Sequence, residues 1–99
     1  MNILNKFIGT WKQSNSDYIF SMERPINPGD ALYFKLPDNE TATDVPVNGV
    51  DYNEETGVYR AKIMVFPQKA EWSGAVLMYS KQSDILHLNG FRFERVQPE

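Results

Sequence analysis

The chain's one histidine, His87, lies in the stretch Ile85 to Gly90. As a general base it would need a nucleophile and an orienting carboxylate within reach. Ser73, Ser80 and Ser83 sit in no strand-to-helix turn of the nucleophile-elbow kind. With Ile85 and His87 on the outer face of a strand, His87 reads as a solvated residue. Asp51, Glu54 and Glu55 form an acidic group around a hairpin turn. A calcium loop needs ligands at alternate positions around a central glycine, and Asp51 to Gly57 lacks that spacing. A glycosidase pair needs two carboxylates facing across a cleft, whereas these share a loop tip. The cysteine count is 0, which excludes a thiolate nucleophile, a thiolate zinc site and a disulfide. No glycine-rich phosphate cradle occurs. Asn39 begins a glycosylation sequon, which matters only in a secreted chain. The expectation is a protein with no catalytic residue, no metal and no cofactor.

A length of 99 residues fits one domain spanning 1–99. Hydrophobic residues at 41% and charged residues at 23% describe a globular, soluble chain. The net charge is -3, and Lys and Arg are scattered singly, so the basic stripe of a nucleic-acid binder is missing. No signal-peptide pattern and no apolar run of membrane-spanning length is visible. A cytoplasmic location is expected, with no membrane partner. Aromatic residues reach 13%, enough to fill a small core or to build a stacking surface.

These residues must be positioned by strands, because short apolar-alternating segments are separated by turn signals and helical periodicity is almost absent. About eight strands are expected: Gly9 to Ser14, Asp17 to Arg24, Ala31 to Leu36, Val45 to Asn53, Val58 to Phe66, Trp72 to Ser80, Ile85 to Leu88 and Phe91 to Val96. Pro28-Gly29 suits a type II turn, and Asn48-Gly49 and Asn89-Gly90 suit tight hairpins because both residues tolerate positive φ. Pro37 to Asp44 is the longest polar loop. Tyr18, Phe20 and Met22 share one face, as do Tyr59, Ala61, Ile63 and Val65. Ala75 to Met78 is apolar on both faces, so cover on both sides is expected. Arg95 shares the face of Phe91 and Phe93 and needs a partner there. Met1 to Lys6 fits a short helical turn. The fold expected is all-β: a small antiparallel up-and-down barrel, since closure removes both exposed edges.

The stretch "FIGTWK", Phe7 to Lys12, resembles the first strand of the calycin superfamily of lipocalins, fatty-acid-binding proteins and avidins. There a Gly-x-Trp segment starts the barrel after a short helical turn. The resemblance implies that Gly9 permits close approach, that Trp11 plugs one barrel end, and that an arginine of the last strand packs on the tryptophan. Arg92 and Arg95 are the candidates, with Arg95 on the apolar face. The last strand also resembles that of fatty-acid-binding proteins. Their helical lid and Arg-x-Tyr carboxylate clamp are not reproduced, so no ligand residue is carried over from them. In size and architecture the chain is also similar to bacterial protease inhibitors of the staphostatin and serralysin-inhibitor kind.

Two functions of different class follow. One is a non-catalytic binder with a small apolar ligand in or at the mouth of the barrel, lined by Tyr18, Phe20, Phe34, Tyr59, Ile63, Leu77, Tyr79 and Phe93. The other is a protein-binding barrel with a filled core, such as an inhibitor or immunity-type protein. Trp72, expected half exposed at the rim where a strand opens, is its candidate contact. A homodimer could also form, through the two-faced strand.

Overall fold

A computed structural model describes residues 3–23, 31–37 and 43–96. After a 3₁₀ turn at Ile3–Phe7 come eight strands: β1 (Gly9–Gln13), β2 (Ile19–Glu23), β3 (Ala31–Lys35), β4 (Thr43–Asn53), β5 (Val58–Ile63), β6 (Val76–Ser80), β7 (Ile85–Leu88) and β8 (Phe91–Arg95). A second 3₁₀ turn, Ala70–Trp72, interrupts the β5–β6 connection. Every strand pairs antiparallel with its sequence neighbour, and β8 returns to β1 with Trp11 opposite Arg95, closing the barrel. Closure removes the open edges of the sheet. Among the described residues no helix is long and apolar enough to cross a membrane.

The up-and-down order places the connections at two ends. The base carries the N-terminal 3₁₀ turn, the β4–β5 hairpin and the β6–β7 turn. The mouth carries the β1–β2 turn, the β5–β6 loop and the β7–β8 turn. Asn89 at φ 52° and Gly90 at φ 82° join Leu88 to Phe91 directly. This is the tight hairpin that the pair favours.

The other Asn-Gly pair does something different. Asn48 and Gly49 lie inside the continuous β4, where the pairing with β5 slips between Asn48 and Asp51 and Gly49 sits at φ 61°. This is a bulge, not a hairpin. It bends a strand of 11 residues that pairs with β3 along its first part and with β5 along the rest. The Pro28-Gly29 turn and most of the Pro37 to Asp44 loop, Asn39 included, lie outside the described residues.

Alternation holds where strands are regular. Phe20 and Met22 point inward from β2, as do Tyr59, Ala61 and Ile63 from β5. Beyond Ile63 it fails: Met64 and Val65 are both exposed and Phe66 turns in instead, because β5 ends and the chain enters an irregular loop. Val65 therefore does not join the inner face. Val76 and Met78 face solvent, so only one side of β6 is covered. Ile85, placed on the outer face by alternation with His87, is buried, while His87 is exposed.

The interior is filled. Phe20 stacks on Phe34 at 5.8 Å and meets Phe93 edge-on at 5.0 Å, and Phe66 meets Phe34 edge-on at 5.0 Å. All four rings are at most 1% exposed. Burying such a ring stabilises the fold by about 1.5–3 kcal/mol, and edge-on pairing adds about 0.5–1.5 kcal/mol. Leu4 and Phe7 of the first 3₁₀ turn plug the base.

Candidate functional site

At the base, Arg95 joins the two ends of the chain. Its guanidinium carbon lies 4.4 Å from the centre of the Trp11 ring and 5.5 Å from that of Tyr79. Nη1 donates to the carbonyl of Ile8 at 2.6 Å, Nη2 to that of Lys6 at 3.3 Å, and Nε to Asp84 at 3.0 Å. Arg92 pairs across with His87 on the outer surface and takes no part. Gly9, at φ 143°, is required twice over. That backbone disfavours a side chain, and a Cβ there would overlap Nη1 of Arg95. The Trp11 indole nitrogen donates to the Phe7 carbonyl at 3.0 Å, tying the plug to the strand.

Tyr79 donates its hydroxyl proton to Asp84 at 2.6 Å. Burial, and then this hydrogen bond, push the Tyr79 hydroxyl above its ordinary value. Burial pushes the Asp84 carboxyl up, but hydrogen bonds from Tyr79 and Arg95 and the guanidinium charge outweigh it and leave the carboxyl lowered. The cluster is a self-satisfied clasp, with its charges directed at one another.

Of the interior positions, Phe20, Phe34, Ile63, Leu77 and Phe93 are almost wholly buried, and Tyr59 and Tyr79 are 8% exposed. They pack against each other and against Phe66 and Trp72 as one core. Tyr18 is half-buried at the mouth and packs against the edge of that core. Trp72 does not open a strand and is not half exposed. It ends the second 3₁₀ turn at 3% exposure, edge-on to Phe20 and Phe66, and caps the core beneath the mouth.

Above that cap lies an open cleft of about 450 Å³, lined by Gln13, Tyr18, Lys69, Glu71, Trp72, Asn89, Phe91 and Phe93. Each wall has a local cause. The Asn89-Gly90 turn lifts Phe91 to the rim, where it is 49% exposed. The β5–β6 loop holds its own shape: the Phe66 amide donates to Ser73 Oγ at 2.8 Å and the Lys69 amide to the Phe66 carbonyl at 3.2 Å. The Trp72 amide then donates to the Lys69 carbonyl at 2.9 Å. Lys69 precedes this turn with an extended φ of -148°, and its ammonium lies over the Trp72 ring. Its Nζ is 5.1 Å from the Trp72 ring centre, 5.4 Å from that of Tyr18 and 3.1 Å from Glu71. Gln13 and Asn89 add amide donors and acceptors, so the cleft combines aromatic faces with a polar rim.

Of the cleft's walls, sequence patterns single out Tyr18, Trp72 and Phe93. Gln13, Lys69, Glu71, Asn89 and Phe91 escape them as site residues. A lysine three residues before a tryptophan in a short connecting loop is the signal that was available.

A second opening, of about 500 Å³, lies at the base between Asp51, Tyr52, Asn53, Glu54, Glu55 and Arg60. It is shallow, and its guanidinium is already engaged by one of its three carboxylates. Arg60 donates to both Asp51 oxygens, at 3.0 and 2.6 Å, and this hydrogen bonding lowers the Asp51 carboxyl. Asn53 Oδ1 accepts from the amides of Glu55 and Thr56, which makes the acidic stretch an ordinary turn. Among the described residues no group of acidic or histidine side chains is arranged to hold a metal ion. The mouth cleft is therefore the better candidate. Compared with protein-family models, with curated proteins and with solved structures, the chain finds no match.

Proposed function

We propose that the chain is a non-catalytic binding protein with a calycin-like barrel, and that it holds a small, partly apolar ligand at the mouth. The observation that carries this reading is the aromatic-walled cleft over the Trp72 cap, open to solvent at the end opposite the N-terminal 3₁₀ turn. The Gly9 and Trp11 start and the Arg95 stack on Trp11 support the calycin part of it. With the core packed by phenylalanines, the ligand sits on Trp72, Tyr18 and Phe91 and does not enter the barrel. In this reading the Lys69–Glu71 ion pair of the cleft serves recognition alone.

The test is a titration with N-phenyl-1-naphthylamine, an uncharged apolar dye, followed by its fluorescence and by amide chemical shifts. Enhanced fluorescence with shifts concentrated at Tyr18, Trp72 and Phe91 is the expected result. Shifts spread evenly over the surface, or no enhancement, would end this reading.

The filled interior favours a second reading, a protein-binding barrel in which the rim contacts a partner or a second copy. Exposed Met64 and Val65 beside the mouth, and Val76 and Met78 on β6, would supply its apolar contacts. A mass measured by light scattering that stays at one chain across a hundredfold concentration range would remove the self-association version.

A further inference from the structure

In the mouth cleft the chain's own lysine sits in an aromatic corner. The Tyr18 and Trp72 rings that form it stand at 77° to one another with their centres 6.4 Å apart. The Lys69 ammonium lies within cation–π distance of both ring centres, and Glu71 supplies a carboxylate oxygen at 3.1 Å. Ring faces are electronegative, and Glu71 is an anion, so all three groups favour positive charge and oppose negative charge. Lys69 reaches the corner on a flexible stem, its side chain 28% exposed. Glu71 is 64% exposed at the side chain, which leaves the corner open toward solvent on that side.

We infer that this corner is a recognition subsite for a ligand's ammonium or quaternary ammonium group, and that Lys69 occupies it as an internal competitor. The inference rests on the mouth reading above and names the ligand class: a small organic cation with an apolar body. When such a ligand arrives, its cationic head takes the place of Lys69 Nζ against Tyr18, Trp72 and Glu71. Its apolar part lies along Phe91, and Lys69 swings into solvent. A quaternary head gains most, because it carries a diffuse charge that costs less to desolvate than a primary ammonium. The exchange leaves charge in the site unchanged, so the cost of binding is the release of Lys69.

The experiment compares choline with 3,3-dimethyl-1-butanol, its uncharged isostere, at equal ionic strength held with sodium chloride. The readout is the Trp72 indole proton by nuclear magnetic resonance. In the unaltered protein choline is expected to bind at least tenfold tighter than the alcohol. Lys69→Gln and Lys69→Ala, checked for folding by near-ultraviolet circular dichroism, are expected to bind choline at least fivefold tighter than the unaltered protein. Adding Glu71→Gln to either should cancel that gain. Choline binding no tighter than the alcohol overturns the inference and needs no variant. So does a folded Lys69 variant with no gain, which would make the lysine a simple loop latch. The naphthylamine dye separates the two readings: a dye response without choline preference discards the cation subsite and keeps the mouth site, while silence from both probes discards the two together.

Discussion

Replacing Arg95 by methionine keeps an unbranched stem against Trp11 and removes only the guanidinium. Three losses follow. The guanidinium stacks at 4.4 Å on a tryptophan that is fully buried. Such a desolvated stack is worth about 1–2 kcal/mol. The Ile8 carbonyl, at 2.6 Å from Nη1, loses a charged donor. A hydrogen bond of that kind is worth about 1.5–3 kcal/mol. The third loss is the pair with Asp84, whose side chain is 39% exposed. After solvent screening it adds no more than about 0.5 kcal/mol. The longer contact to Lys6 adds little. Arg95→Met should therefore cost about 3–5 kcal/mol, which in a chain of this size lowers the melting temperature by about 15 °C or more.

Urea unfolding followed by tryptophan fluorescence measures this directly, since Trp11 and Trp72 are both buried and lie at opposite ends of the barrel. Arg95→Lys is the control. A point charge on a flexible stem cannot stack flat on Trp11 while donating to Ile8 and Asp84, so lysine should restore less than half of the loss. A methionine variant within about 0.5 kcal/mol of the unaltered protein would refute the account, because so small a loss is that of an ordinary surface residue. Lysine performing as well as arginine would refute the geometric part of it and leave only charge.

Gly9→Ala combines backbone strain at φ 143° with displacement of the Arg95 guanidinium. It should destabilise by about 2–3 kcal/mol, read as a lower thermal midpoint. The Asp84 carboxyl is lowered in the fold, so its contribution is whole above the ordinary value of 3.8 and fades as pH falls through the folded value. The Tyr79 hydroxyl is raised, so its contribution is whole below 10.0 and fades as pH rises beyond it. Unfolding midpoints should thus fall at both extremes, and Tyr79→Phe should flatten chiefly the alkaline limb; an unchanged alkaline limb in that variant would contradict the assignment. Trp72→Ala opens the capped core and should cost about 3–5 kcal/mol. Phe91 is an exposed ring, so Phe91→Ala should leave the core intact yet weaken dye binding severalfold. Its effect on stability should stay below about 1 kcal/mol. Equal dye affinity in Phe91→Ala would remove that wall from the site.

Much of the barrel is written in local chemistry. Alternation along β2 and along β5 as far as Ile63 assigns Phe20, Met22, Tyr59, Ala61 and Ile63 to the interior, because a side-chain period of two is a property of the strand itself. The Asn89-Gly90 hairpin is legible for the same kind of reason, since few residue pairs accept positive φ twice in succession. The resemblance of Phe7 to Lys12 to calycin first strands adds that Gly9, Trp11 and the arginine on a phenylalanine face mark the closure at both ends of the chain.

The remaining features depend on neighbours that no local pattern names. Asn48-Gly49 carries the same residue types as Asn89-Gly90, and only the pairing of β4 with both β3 and β5 makes it a bulge instead of a turn. Val65 and Phe66 exchange faces because β5 stops at Ile63 and the chain leaves the sheet for the loop that carries Trp72. Whether a barrel is hollow is a sum of side-chain volumes meeting from opposite walls: Phe20, Phe34, Phe93 and the loop that carries Phe66 and Trp72 come from separate parts of the chain and fill the centre only once the sheet has closed. The mouth cleft has the same origin. Tyr18 and Lys69 are far apart in sequence, and they share one aromatic corner because curvature brings the β1–β2 turn to the β5–β6 loop. Sequence by itself determined the regular strands and most of their inner faces, which follow from backbone period and residue type. It pointed to the clasp between the chain's ends through the resemblance to calycin first strands. Tertiary structure alone decided that the barrel is solid and that its open cleft lies on top, because packing volume and loop convergence are properties of the closed sheet.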